Sequence, residues 1–97
     1  MKDLCFNTYQ SKIAPLLEAE NIRQLNKWGV QNHLPSEWLM FTAEELGELA
    51  NAISEWNYRG GLVENVVKEA IQVATLSLKI AEMFNNLLVK KEDDLND

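Results

Sequence analysis

Residues 35–88 read PSEWLMFTAEELGELANAISEWNYRGGLVENVVKEAIQVATLSLKIAEMFNNLL, and this stretch decides the fold. Strand-type alternation is absent, and apolar residues recur three and four apart, the signature of amphipathic helices. On the first half the apolar stripe is Leu39, Thr42, Leu46, Leu49, Ile53 and Trp56. On the second it is Val63, Val66, Ala70, Val73, Ser77, Ile80, Phe84 and Leu87. Both stripes read as core. Arg59-Gly60-Gly61 separates them and predicts a tight turn between two long helices, near Pro35–Tyr58 and Leu62–Leu88.

Upstream, Leu16, Leu17, Ala19, Ile22 and Leu25 recur at helical spacing. Pro15 suits a first helical turn, and Gly29 suits a stop. A helix over Pro15–Trp28 is expected, with room for a shorter one before it. Downstream, residues 89–97 are mostly charged and are expected to fray. The expected fold is therefore all-α: a single domain over residues 1–97, an antiparallel helical bundle of two long helices plus one or two shorter N-terminal ones.

The chain holds 97 residues, with 15 acidic against 9 basic side chains and a net charge of −6. That balance argues against a binder of nucleic-acid polymers, which needs a basic footprint. It leaves nucleotides open, because a cation offsets phosphate charge locally. The single cysteine, Cys5, allows no internal disulfide, and neither a signal peptide nor a membrane span is legible. A cytoplasmic setting is expected. So short a chain buries a thin core. Leu39, Met40, Phe41, Ala43 and Leu46 on one helix, and Val67, Leu76, Leu78 and Met83 on the other, add apolar surface that two helices and a leader cannot cover. A homodimer or homotetramer is expected.

Beside the apolar stripe of the first long helix runs another: Trp38, Phe41, Glu45, Glu48, Ala52, Glu55. Glu45 and Glu48 are three apart and share a face, where like charges repel. On the second long helix Glu69 and Gln72 have the same spacing. With the turn near residue 60, facing residues have numbers that sum to about 120. Glu48 with Glu69, and Glu45 with Gln72, fall within one turn of that register. Folding the hairpin gathers three carboxylates and an amide, roughly 15–20 Å from the turn. Such a cluster calls for a cation, and all-oxygen donors suit magnesium or manganese rather than zinc. Magnesium shares phosphate oxygens, so a polyphosphate is the natural second partner.

At these residues the sequence resembles the MazG-like all-alpha nucleoside triphosphate pyrophosphohydrolases. Their motif is Glu-Glu-x-x-Glu on one helix and Glu-x-x-Asp on the next. The first half stands as Glu44-Glu45-Leu46-Gly47-Glu48, and the second as Glu69-Ala70-Ile71-Gln72, with glutamine in place of aspartate. Upstream, Lys27-Trp28-Gly29-Val30-Gln31-Asn32-His33, followed by Trp38-Leu39, also resembles small members. The resemblance implies magnesium held by Glu45, Glu48 and Glu69, with Gln72 at the fourth position and Glu44 orienting water. It implies attack of water on the α-phosphorus, releasing monophosphate and pyrophosphate, in a house-cleaning role. Nucleoside triphosphates are the expected substrates, with the deoxynucleotide preference of some relatives as a refinement the resemblance implies.

Other residues are open between site and scaffold. Lys79 could grip a phosphate or be a solvated helix lysine. Trp28 and Trp38 could stack on a base or pack as core. His33 could contact substrate or cap the loop. The alternative function is a non-catalytic nucleotide-binding or regulatory module of the same fold, which Gln72 favours. A di-iron carboxylate bundle needs Glu-x-x-His pairs, which this chain lacks. Phosphoribosyl-ATP pyrophosphohydrolase, which shares the fold and chemistry, is a further alternative.

Overall fold

The computed structural model describes residues 1–96, with side chains through Asp93. The chain is all-α among the described residues: α1 (Phe6–Thr8), a π segment (Tyr9–Ile13), α2 (Ala14–Trp28), α3 (Pro35–Arg59) and α4 (Val63–Asn96). The π segment has a local cause. Pro15 lacks an N–H and its ring crowds the carbonyl four residues back. A wider turn, with the Ala14 N–H donating to the Tyr9 carbonyl, carries the chain through without a break.

Gly29 ends α2 at a φ of 71°. At the start of α3, Pro35 occupies the first turn. The Leu34 N–H donates to Glu37 Oε1 at 2.9 Å, so an acidic side chain covers the positive end of the helix. The α3–α4 turn needs both of its glycines. Gly60 sits in the left-handed region at φ 70°. The Gly61 N–H donates to the Glu55 carbonyl at 2.9 Å, and a Cβ on Gly61 would lie 2.9 Å from Glu55 and Trp56.

α3 packs along α4, and α2 rests against α4. The meeting point of the three long helices is the most covered part of the molecule. Trp38, Leu76, Gln24 and Thr75 are buried there, and no large side chain is fully enclosed. The helix expected to stop near Leu88 runs on to Asn96, through the charged segment expected to fray. No glycine or proline interrupts it, and Lys90, Lys91 and Glu92 are good helix formers. Asp97 lies outside the described residues.

The expected core stripe of α3 requires the larger correction. Leu39 is 61% exposed, Leu46 55% and Trp56 51%. Ile53 is exposed as well, and only Thr42 and Leu49 of that stripe are half-buried. The inner side of the hairpin is instead the neighbouring stripe, with Trp38 buried and Phe41, Glu45, Ala52 and Glu55 half-buried. Helical periodicity locates two adjacent stripes, and burying the more apolar one is the sensible default for a complete core. Here the chain supplies one helix, α4, to cover α3, and α4 lies on the mixed stripe.

The consequence shows in the surface. The chain exposes 7872 Å², whereas a compact monomer of 11.1 kDa exposes about 5,650 Å². Its radius of gyration is 16.2 Å, against about 12.5 Å for a compact chain of this length.

Candidate functional site

The inner stripe of α3 positions the site. Glu45 on α3 and Glu69 on α4 are half-buried, and Glu48 is exposed at the edge of the group. Their carboxylate oxygens lie within 4.8 Å of one another. Gln72 closes the group. With its amide oriented to satisfy both ends, the nitrogen donates to Glu45 Oε2 at 2.8 Å and to Glu69 Oε2 at 3.0 Å. The facing pairs expected from the turn are thus brought together, Glu48 beside Glu69 and Glu45 beside Gln72.

The electrostatics of the group are strained. Glu45 has its pKa raised, chiefly by burial, then by the charge of Glu48, then by a hydrogen bond to Glu69 and by that residue's charge. A carboxylate so placed holds a proton more readily than usual or pairs with a cation. The donor set fits a hard divalent ion: carboxylate oxygens only, within reach of one centre. Glu44 is exposed and stands outside the three converging carboxylates.

Two cavities flank the cluster. One, of about 790 Å³, is lined by Glu44, Glu45 and Gln72 at one end and by residues of α2 and the α2–α3 loop at the other. The other, of about 440 Å³, lies toward the turn and is lined by Glu48 and Glu69 together with Asn51, Asn65 and Lys68. The larger cavity holds aromatic side chains, while the smaller one is mostly polar.

Within the larger cavity, His33, Trp38 and Phe41 form a set of edge-to-face contacts. Ring centroids are 4.9 Å apart for His33–Trp38, 5.1 Å for His33–Phe41 and 5.9 Å for Trp38–Phe41. His33 Nε2 also lies 3.0 Å from Gln31 Oε1. Trp38 is 8% exposed and its face is taken by Lys79, whose Nζ is 5.1 Å from the ring centroid. It packs rather than offering an open platform. Trp28 is exposed at the mouth of the cavity, with Lys27 Nζ at 4.6 Å and the Arg23 guanidinium at 5.9 Å from its ring.

Lys79 is more tightly placed than a solvated helix lysine. Its ammonium donates to Gln24 Oε1 on α2. Gln24 Nε2 donates to Glu20 Oε2 at 3.0 Å, and Arg23 grips Glu20 through Nε at 2.8 Å and Nη2 at 2.8 Å. The Arg23 hydrogen bonds hold the Glu20 carboxyl below its ordinary pKa, against burial. Burial pushes the Lys79 pKa down, while the charge of Glu20 opposes it. Sequence reasoning singled out Lys79 but not Glu20, Arg23 and Gln24. The Glu20–Arg23 and Glu20–Gln24 spacings of three and four were the visible signal, although nothing in them points to a residue 55 positions away.

Comparison with known protein families, with curated proteins and with solved structures finds no match.

Proposed function

We propose that the chain is a MazG-like, magnesium-dependent nucleoside triphosphate pyrophosphohydrolase, acting on deoxynucleoside triphosphates among others. One observation carries the reading: three carboxylates converge where an aromatic cavity meets a polar one. Glu45, Glu48 and Glu69 would hold magnesium, or manganese in its place, with Gln72 beside them. When bound there, the ion would supply charge neutralisation for the phosphates and for the charge that develops as the anhydride breaks. Glu44, exposed at the cavity edge, orients the water and takes its proton. The water oxygen bonds to the α-phosphorus, the bridging bond to the β-phosphate breaks, and pyrophosphate leaves with that electron pair.

The outer apolar face supports a homodimer or homotetramer that completes a helical bundle. The excess surface, about 2,200 Å² per chain over a compact monomer, is of the size that obligate homodimers bury. Light scattering at micromolar concentration should give at least twice the chain mass, and a monomer would refute the assembly. No helix of the described residues is long and apolar enough to cross a membrane. A cytoplasmic house-cleaning role accords with the chemistry.

A second reading has its own observation. The Gln72 amide donates to both Glu45 and Glu69, a neutral group where a fourth carboxylate would strengthen a metal site, which supports a nucleotide-binding module without hydrolysis. A panel of nucleoside triphosphates with magnesium, scored for pyrophosphate, separates the two. Monophosphate and pyrophosphate in equal amounts are expected from at least one nucleotide. Stepwise orthophosphate release would overturn the reaction proposed, and binding without any cleavage would favour the module.

A further inference from the structure

We infer that Lys79 and Gln24 together select the nucleobase, favouring bases that present a carbonyl next to a ring N–H, as hypoxanthine, guanine, uracil and thymine do. The inference rests on the nucleotide reading of the site.

Its starting point is distance. Lys79 on α4 faces Trp38 on α3, just as Gln72 faces Glu45. The two facing pairs are seven residues apart on each helix, so Lys79 sits about 10 Å along the groove from the carboxylates at 1.5 Å per residue. A phosphate bound beside the carboxylates does not reach that far, whereas the base of the same nucleotide does. The polar cavity on the opposite side of the cluster, with Lys68, Asn51 and Asn65, suits the departing phosphates. The cavity containing Lys79, with its aromatic walls, suits the base.

The chemistry of the pair is specific. Lys79 has no carboxylate within ion-pair distance among the described residues. Its ammonium carries three N–H donors, one of them used by Gln24. The Gln24 carbonyl oxygen has two lone pairs, one of them used by Lys79. The pair therefore lines the cavity with a donor beside an acceptor. A lactam edge, C=O beside N–H, is its complement. The amino edge of adenine or cytosine reverses the pattern, setting an N–H donor against the ammonium.

The acceptor cannot simply turn round to suit the other pattern. Gln24 Nε2 is fixed on Glu20 Oε2 at 3.0 Å, and Glu20 is fixed by Arg23. Flipping the amide would set its nitrogen against the Lys79 ammonium and its oxygen against the Glu20 carboxylate. Glu20 and Arg23 are thus positioning residues, acting through Gln24.

Two nucleotide pairs isolate the edge: dITP against dATP, and dUTP against dCTP. Within each pair the members differ only in carbonyl versus amino and in the proton on the adjacent nitrogen. With magnesium, kcat/KM from pyrophosphate release should favour dITP and dUTP by roughly tenfold or more, the scale of one charged hydrogen bond. Lys79→Met keeps the aliphatic stem over Trp38 and should bring both ratios close to one, chiefly by loss on the carbonyl member. Gln24→Met should do the same, with helix content checked by circular dichroism. Equal loss on both members in Lys79→Met would make Lys79 a phosphate contact and overturn the inference. So would ratios near one in the parent.

Equilibrium binding of dIMP and dAMP, read by tryptophan fluorescence, separates this inference from hydrolysis. Tighter binding of dIMP with no turnover of any triphosphate would sink the hydrolase and keep the base selection. Turnover with equal binding of the two would do the reverse, and no binding of either would sink the selection.

Discussion

The two long faces of α3 are built from one helix and met by different surroundings. The inner face, with Trp38 buried and Phe41, Glu45, Ala52 and Glu55 half-buried, lies against α4 and carries charge, with Glu48 exposed at its edge. The outer face, with Leu39, Leu46, Ile53 and Trp56, is apolar and open to solvent. Hydrophobic burial normally runs the other way. The one covering helix lies on the face that carries the carboxylates, and the face with most to gain from leaving water is open. The inner face gathers like charges and the outer face leaves apolar area in water, so under the proposed function different additions would relieve them: a cation for one, a second surface for the other.

The sharpest break of this comparison is on the inner face. Glu48→Gln should reduce turnover on the order of 100-fold, since changes even to groups behind a metal ligand cost ~10–100-fold. Helix content by circular dichroism should hold, because removing a like charge three residues from Glu45 relieves repulsion. Comparable turnover in the variant would exclude Glu48 from the site.

Next comes the outer face. Leu46→Lys combined with Ile53→Lys should shift the mass by light scattering from oligomer to monomer. Each buried aliphatic side chain contributes about 1.5–3 kcal/mol, and each lysine adds a charge that resists burial. An unchanged oligomer would mean that the assembly uses another surface.

Gln72 tests the inner face more finely. Gln72→Glu should raise magnesium affinity in the absence of nucleotide by several-fold, as a fourth carboxylate strengthens the attraction for the cation. Gln72→Ala should cost less activity than Glu48→Gln, because a neutral group is lost. Calorimetric titration of magnesium decides the first point, and unchanged affinity would place residue 72 out of the cation's reach.

The smallest effect lies where α2 joins the hairpin. The Glu20 carboxyl is held below its ordinary pKa, first by its hydrogen bonds to Arg23. A depressed carboxyl stabilises the fold above its unfolded value, and that contribution is lost as pH falls through the folded value. Glu20→Gln should therefore lower Tm slightly at neutral pH and flatten the acid limb below the ordinary carboxylate range. Solvent screening keeps the effect under about 1 kcal/mol. An acid limb unchanged from the parent would show that the Glu20–Arg23 contact contributes nothing to folding.

What the sequence made legible follows from how local each signal is. The Glu45–Gln72 and Glu48–Glu69 pairings were readable because two short-range facts fix them: spacings of three on each helix, and a glycine turn between. Which stripe of α3 would be covered was not readable by the same means. Periodicity finds the stripes, but the choice depends on how many layers the chain provides, and that is a property of the whole molecule. The continuation of α4 beyond Leu88 was hidden by charge, which signals exposure and says little about helicity. The contact of Gln24 with Lys79 joins helices far apart in sequence, and no spacing rule reaches across such a gap.

The Gly60–Gly61 turn has a consequence for the order of events. It joins residues that are close in sequence, so the α3–α4 hairpin forms through short loops, the kind that close fastest. The carboxylates and Gln72 come together in a unimolecular step that does not depend on protein concentration. Covering the outer face of α3 with a second copy is bimolecular and obeys mass action. If the proposed assembly and cation site hold, dilution should therefore separate the copies before it disperses the carboxylates. Magnesium affinity measured at nanomolar protein should then equal that measured at micromolar.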